Sequence, residues 1–215
     1  MICLLLIYLL FKVSKLCIIY LKLINYMKKI LVVLLSFFAL QASAQSFASL
    51  DKSAMDVVFY PNGAHRVEMT KDADKKAELM PKIRITYSRP LANGRVVFGD
   101  LVKYNEPWRL GANESTEVIF YTAVRIGADI LSPGRYSLYC VPTADSWTLK
   151  VHPSIAWGIY GFDFTKDLAS VTAKVSNSNE KIEALSMTMY KAENGTVLLK
   201  IGWDKTTVEF PITLL

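Results

Sequence analysis

The sequence predicts an all-β protein, a single antiparallel β-sandwich or open barrel of about eight to ten strands. Three observations support this fold class. Apolar and polar residues alternate with period two in many short runs, turn residues separate those runs, and the folded part has no long segment with the period of a helix. Such alternation places one face of each strand on a core and leaves the other face in water.

The clearest alternation lies in the C-terminal part of the chain. Residues 146–151, 197–203 and 208–212 each alternate in this way, and Asp204-Lys205 predicts a tight hairpin between the last two runs. The same test predicts five further strands, at 83–87, 117–122, 135–141, 171–175 and 185–189.

Weaker signals complete the predicted sheet. Two short strands are predicted at 55–60 and 65–69, joined by a turn at Pro61-Asn62-Gly63. Ser132-Pro133-Gly134 predicts a turn that leads into a strand, and Asn194-Gly195 predicts a hairpin turn. The charged stretch 71–79 is compatible with one short helix or with a loop.

The N-terminal part contains an export signal. Lys28 and Lys29 precede an apolar run over residues 30–40, and Ala42-Ser43-Ala44 closes that run. A basic start, an apolar centre and a small-residue cleavage site are the three parts of a secretory signal peptide. We therefore predict that residues 27–44 are removed and that a single domain over 45–215 is exported, to the periplasm or the extracellular medium.

The residues before Met27 have a different character. Residues 1–26 contain no Gly, Ala, Pro or acidic residue. This composition favours upstream DNA translated from a start codon assigned too early. The alternative is a membrane anchor, but the apolar stretches here are short and interrupted by Lys12 and Lys15. We predict no transmembrane segment in the exported chain.

Removal of this leader changes the charge and the cysteine count. Residues 1–44 carry five of the 25 basic residues and none of the 19 acidic ones, so the remaining chain is nearly neutral at about +1. The sequence thus predicts no nucleic-acid partner. Cys140 is the single cysteine after the leader, which excludes an intrachain disulfide. Its position in the strand predicts a buried, inert thiol rather than a nucleophile.

One segment interrupts the regular pattern, a long irregular loop at 88–116. Connections of this length are often functional or disordered, and the aromatic residues Phe98 and Trp108 argue against disorder. We expect the loop to pack over one end of the sandwich. Its candidate ligand-binding residues combine cationic, amide, carboxylate and indole groups: Arg89, Arg95, Trp108, Arg109, Asn113 and Glu114. The alternative, which buried loops favour, is that Arg109 pairs with Glu114 and that Asn113 caps the backbone.

A second irregular segment, Trp157-Gly158-Ile159-Tyr160, adds two aromatic candidates. If they are exposed, Trp157 and Tyr160 form a platform on which a sugar can stack. If they are buried, they close the end of the sandwich, and burial is the more common outcome for such rings.

Known catalytic and cofactor patterns are absent from the sequence. There is no nucleophile elbow, no dinucleotide or phosphate loop and no zinc-protease motif. His65 and His152 lack the spacing of metal ligands. We therefore predict no cofactor and no metal, and enzymatic activity is not favoured.

Several motifs are similar to those of the domain of unknown function 2911 family. They include Tyr87-Ser88-Arg89-Pro90, Gly94-Arg95, Phe98-Gly99, Trp108-Arg109-x-Gly111-Ala112-Asn113-Glu114, Pro133-Gly134-x-Tyr136-Ser137-Leu138, Trp157-Gly158 and Trp203-x-Lys205-x-x-Val208-x-Phe210-Pro211. The resemblance covers residues 55–215. It implies an exported bacterial protein without an established activity, and its most specific motif lies in the irregular loop.

The leading functional hypothesis is a β-sandwich domain that binds a small polar ligand, such as a saccharide, or a protein partner through the 88–116 loop. An alternative is a hydrolase of envelope or dietary polymer that uses Glu114, although the sequence does not identify its second carboxylate. A further alternative is a structural envelope protein without a ligand.

Overall fold

The computed structural model describes residues 2–39 and 46–215, which fall into two compact units, residues 1–49 and residues 50–215. The first unit contains helix α1 (Ile2–Ala39), which continues through Met27. Side chains 12–34 of this helix are almost all exposed. The predicted cleavage site after Ala44 lies outside the described residues. Within the described residues, no helix combines the length and the apolar character that a membrane crossing requires.

The second unit is built on an antiparallel sheet whose nine strands, counted over the described residues, follow the order β1-β2-β3-β6-β7-β8-β9-β4-β5. The sheet is open and does not close into a barrel. The strands are β1 (Met55–Tyr60), β2 (Ile83–Ser88), β3 (Thr116–Phe120), β4 (Val124–Ile126), β5 (Asp129–Leu131), β6 (Gly134–Pro142), β7 (Ser146–His152), β8 (Ala169–Lys191) and β9 (Val197–Leu214). The predicted all-β class, the strand number and the long loop are therefore confirmed.

Strand β8 connects the two parts of the sheet. Its first residues, 169–174, pair with β7, and residues 175–191 pair with β9. The register shifts between Asn177 and Ser186, which marks an irregularity of the bulge type where a strand can bend. The predicted strands 171–175 and 185–189 are thus two ends of one long strand.

The predicted hairpin at Asp204-Lys205 is wrong, because β9 runs without interruption from Val197 to Leu214. Asp204 has a φ of 54° and pairs with Ile182 in the irregular part of the β8–β9 ladder. Odd-numbered residues up to Trp203 are buried, and from Val208 onward the even-numbered ones are. A bulge adds one residue to a strand and so changes which residues face the core. In the sequence, this break in the alternation looks the same as a turn between two strands.

The predicted strand 65–69 is also wrong. Residues Ala64–Met69 form a 3₁₀ helix in which Ala64 and Val67 are buried. A spacing of three between buried residues suits one face of a 3₁₀ helix, and over six residues it is easily taken for alternation. The charged stretch contains helix α2 (Ala73–Leu79), with Asp72 accepting a hydrogen bond from the Lys75 amide at 2.9 Å as its N-cap.

A single core lies inside this sheet and receives side chains from β2 through β9. Trp147, Trp203, Phe120 and Phe210 are among its largest fully buried side chains. Cys140 is completely buried, and burial raises the pKa of its thiol well above the ordinary value. The structure therefore supports the prediction that this cysteine is an inert core residue.

Candidate functional site

The irregular loop connects β2 to β3 and packs onto the sheet. Trp108 exchanges two backbone hydrogen bonds with Cys140 of β6, at 2.7 and 2.8 Å, and Leu91 forms a bridge with Ala184 of β8. The Ser88 hydroxyl donates to the Ala112 carbonyl at 2.5 Å and accepts from its amide at 2.6 Å. These contacts fix the loop at both ends of its path, so it is an ordered part of the domain.

Apolar side chains of the loop are the reason that it packs inward. Val97 and Leu110 are fully buried, and Phe98 packs against the core. Trp108 is 8% exposed and stacks on Trp203 with ring centroids 6.0 Å apart. Trp147 meets Trp108 edge to face at 5.6 Å. This aromatic cluster holds the backbone of the neighbouring residue, Arg109, in a fixed place.

Arg109 makes no hydrogen bond or ion pair with any part of the chain that the structure describes. Its Nε is buried and has no acceptor. A guanidinium has five N–H donors, and a buried donor without an acceptor costs about 1–3 kcal/mol. The alternative in which Arg109 pairs with Glu114 does not hold, because the two side chains line different cavities.

Two cavities meet at Trp108 and Arg109. The first, of about 220 Å³, also has Lys103, Glu106, Ile159 and Tyr160 in its wall. The second, of about 240 Å³, has Ser53, Arg95, Gly111 and Trp203. Together they bring four of the predicted site residues to one surface: Arg95, Trp108, Arg109 and Tyr160.

A third cavity, of about 330 Å³, has two further predicted site residues in its wall, a carboxylate and an indole. Glu114 and Trp157 line it together with Glu117 and Arg135. Glu117 accepts an ion-paired hydrogen bond from Arg135 Nε at 2.5 Å, whereas Glu114 is exposed and has no partner among the described residues. Glu117 shares this cavity with Glu114, but its pairing with Arg135 provides no specific support for the hydrolase alternative.

The segment 153–168 lines both the third cavity and the first. The Ser115 hydroxyl donates to the Ala156 carbonyl at 2.7 Å and also contacts the Gly158 carbonyl, which attaches the segment to the start of β3. Gly158 has a φ of +65°, and a Cβ there would lie 3.1 Å from the Tyr160 ring and 3.4 Å from Arg109 Cδ. This position therefore favours glycine, and the close approach places Tyr160 beside Arg109.

Trp157 and Tyr160 are exposed, at 63% and 72%. The expectation that these rings are buried is therefore wrong. The core is already filled by Trp108, Trp147 and Trp203. Exposed rings are the arrangement for which the sequence analysis predicts stacking on a ligand.

Arg89 and Asn113, the two remaining predicted residues, bond to other parts of the chain. Arg89 donates to the Leu185 carbonyl at 3.0 Å and the Ser186 hydroxyl at 2.9 Å, and it forms an ion pair with Asp56 at 3.0 Å. Asn113, at a φ of 59°, donates to Asp51 at 3.1 Å rather than to the backbone. Neither side chain lines the three cavities described above.

The sequence-based reasoning did not select Glu117 as a site residue and missed Arg135, because each occupies an ordinary strand position. β3 and β6 are neighbours, and Glu117 pairs in register with Ser137, two residues after Arg135. The two charged residues therefore lie close together on the outer face of the sheet. A cross-strand search for opposite charges would find them once the register is known.

A partly buried polar network lies beneath the segment 153–168. The Tyr139 hydroxyl donates to Asp167 at 2.6 Å, and Lys150 donates to the same oxygen at 2.8 Å. Burial, and then the hydrogen bond to Asp167, raise the pKa of Tyr139. The network attaches the end of this segment to the outer face of β6 and β7.

His152 is buried and has two backbone partners. Its Nδ1 accepts from the Ser154 amide at 3.1 Å, which leaves the proton on Nε2 to be donated to the Asp163 carbonyl, also at 3.1 Å. The ring stacks on Phe162 with centroids 4.1 Å apart. Over residues 2–39 and 46–215, no three His, Cys, Asp or Glu side chains come together as a metal site would require.

The comparison with protein families matches residues 69–212 to the family described as protein of unknown function (DUF2911). This range begins at the last residue of the 3₁₀ helix and includes the irregular loop and nearly all of β9. It also includes most residues that line the three cavities, whereas Ser53 and Met55 lie before it. Neither the curated proteins nor the solved structures gave a significant match.

Proposed function

The chain belongs to the DUF2911 family of proteins of unknown function, and we propose that it is an exported protein whose β domain binds a small polar ligand at Arg109. The observation that carries this proposal is the Arg109 guanidinium, which lies at the meeting point of two cavities and has no acceptor among the described residues. A ligand oxygen in either cavity would accept charge-assisted hydrogen bonds from the outer N–H groups of this guanidinium, each worth about 1.5–3 kcal/mol.

The surroundings of Arg109 support a ligand of small size. The two cavities, of about 220 and 240 Å³, are somewhat below the range of typical pockets for drug-sized molecules. The exposed Tyr160 ring, in the wall of the first cavity, provides a flat apolar surface next to the cation. An aromatic face beside polar groups is suited to a sugar ring, which is apolar on one face and polar at its edge.

The test of binding is a thermal-shift screen of the full chain against neutral sugars, amines and carboxylates. A ligand that binds the native state raises the melting temperature in proportion to its concentration and affinity. We expect at least one class to do so, and we expect Arg109→Gln to reduce the shift, because Arg109 lines both cavities. Arg125→Gln is the matched control, because Arg125 is an exposed arginine on β4 that lines none of the three cavities. If no class shifts the melting temperature, the binding function fails.

Export is a separate part of this proposal and rests on the leader. The basic residues Lys28 and Lys29, the apolar run and Ala42-Ser43-Ala44 support it. Expression of the full chain in a bacterial host, followed by N-terminal sequencing of the protein outside the cytoplasm, should find a chain that begins at Gln45. An uncleaved chain retained in the cytoplasm would contradict export but would leave the binding proposal intact.

A further inference from the structure

The charged residues in the wall of the second cavity are all basic. Arg95 and Arg109 line it, and none of its lining residues is acidic. The first cavity, by contrast, contains Glu106 in addition to Lys103 and Arg109. Two guanidinium groups with no carboxylate in the cavity wall create a positive potential that a neutral ligand would leave uncompensated.

Arg95 is held in place without being neutralised. Its Nε donates to the Ala92 carbonyl at 2.9 Å and its Nη2 to the Leu91 carbonyl at 2.7 Å. Both acceptors are neutral backbone groups, and Nη1 has no partner in the part of the chain that the structure describes. The side chain is therefore pre-organised by its own loop, with donors left over for a ligand.

Arg109 adds a second, less solvated cation. Its Nε is excluded from solvent and its guanidinium has no acidic partner among the described residues. Arginine binds carboxylates through two parallel hydrogen bonds, and such charge-assisted bonds are roughly twice as strong as neutral ones. The ligand that best compensates this site is therefore an anion.

Apolar side chains form part of the remaining cavity wall. Leu101, Val102, Trp108 and Trp203 contribute to its wall together with Pro90. An inorganic ion such as phosphate has polar oxygens on every side and would leave these groups in contact with a charge or with water. A molecule with one carboxylate and an apolar carbon face satisfies both parts of the wall.

We infer that the Arg95–Arg109 cavity binds an organic anion of sugar size, with its carboxylate at the two guanidinium groups and its carbon skeleton against the tryptophan side. This inference rests on the proposed ligand-binding function and specifies the chemical class of the ligand. Uronic acids belong to this class, and glucuronate is a practical probe because glucose differs from it mainly in the missing carboxylate.

The experiment compares glucuronate, glucose and inorganic phosphate by calorimetric titration and thermal shift on the full chain. We expect glucuronate to bind at least about tenfold more tightly than glucose, because only glucuronate makes hydrogen bonds to charged donors through an ionised group. Phosphate should bind more weakly than glucuronate, because it makes no use of the apolar wall.

Variants identify the site. Arg109→Gln should weaken glucuronate binding at least about tenfold, and Arg95→Gln should cause a smaller loss. Arg109→Lys keeps the charge but not the two-pronged geometry, so its affinity should lie between those of Arg109→Gln and the unchanged chain. Arg125→Gln is the matched control, because Arg125 is an exposed arginine on β4 that lines none of the three cavities. Circular dichroism and the melting temperature without ligand show whether each variant folds.

Each contrary result has a distinct meaning. Glucose binding as tightly as glucuronate, with Arg109→Gln affecting neither, would overturn the anion inference and leave the binding function standing. Tighter binding of phosphate than of glucuronate would overturn the organic class. Absence of glucuronate binding at millimolar concentration would also overturn the inference, and the wider screen of neutral sugars and amines then decides the proposed function separately.

Discussion

Two arginines of the same loop illustrate how differently one residue type is used. Arg89 has three partners that belong to β1 and β8, namely Asp56, Leu185 and Ser186. Arg109 has none among the described residues, and its Nε is buried. The first side chain stabilises the fold by joining strands, whereas the second lowers stability and is available for binding. The residue type alone does not distinguish these roles, because the partners are distant in the sequence.

Arg89→Ala should therefore lower the free energy of unfolding by about 1–2 kcal/mol, since it removes hydrogen bonds from a charged group that is partly exposed. Arg95→Ala is the control. Arg95 bonds to carbonyls of its own loop, so we expect a change within about 0.5 kcal/mol. Urea denaturation of both variants measures the difference. Equal effects would show that Arg89 does not join the strands.

Tyr139 predicts a pH dependence of stability. Burial, and then the hydrogen bond to Asp167, raise its pKa above the ordinary value of 10.0. The folded state thus keeps the phenol proton at pH values where the unfolded state loses it. The stability that this provides is fully present below about pH 10 and is lost as the pH rises, by at most about 1.4 kcal/mol per pH unit for one proton.

Urea denaturation between neutral pH and about pH 11 compares the free energy of unfolding of the unchanged chain with that of Tyr139→Phe, in which residue 139 cannot titrate. The variant should lose less stability with increasing pH than the unchanged chain. Part of the loss should remain, because burial also raises the pKa of Cys140. Parallel curves for the two proteins would contradict a buried, protonated Tyr139.

At the scale of elements, the alternation of residues locates strands well but does not show how they continue. β2, β3, β6 and β7 lie within a few residues of their predicted bounds. β4 and β5 were missed, since three residues are too few to show a period of two. β8 and β9 were each divided in two, because an interrupted alternation arises from a turn or from an irregularity inside one strand.

Deleting Asp204 tests the interpretation of β9. Loss of one residue would turn Val208, Phe210 and Ile212 from the core to the outer face of the sheet. The expected cost is about 5 kcal/mol or more, since each exposed side chain forfeits about 1.5–3 kcal/mol of burial. Asp204→Gly is the control and should remain within about 0.5 kcal/mol, because glycine adopts a positive φ readily. Circular dichroism and urea denaturation compare them, and a stable deletion variant would exclude the bulge.

At the scale of the whole molecule, three of the four tryptophans lie in the core and the fourth lies at the surface. Trp147, Trp203 and Trp108 pack against one another inside the sheet. Trp157 lies in the wall of the third cavity and is mostly exposed. The loop that carries Trp108 therefore serves both as a part of the core and as the support of the candidate site.

Trp108→Ala should reduce the free energy of unfolding by about 3–5 kcal/mol, the cost of removing a buried aromatic side chain. Trp157→Ala should change it by no more than about 0.5 kcal/mol, since most of this ring is already in water. Chemical denaturation of the two single variants provides the comparison. A large loss for Trp157→Ala would show that its segment contributes to the core.

The sequence by itself determined the all-β class, most of the strands, the buried Cys140 and the loop that carries Trp108 and Arg109, because alternation and turn residues act over a few neighbouring positions. The tertiary structure decided the continuous β9, the separation of Arg109 from Glu114, and the pairing of Glu117 with Arg135. These features depend on which strands become neighbours and in what register. Contacts of that kind join residues far apart in the chain, and a local pattern does not contain them.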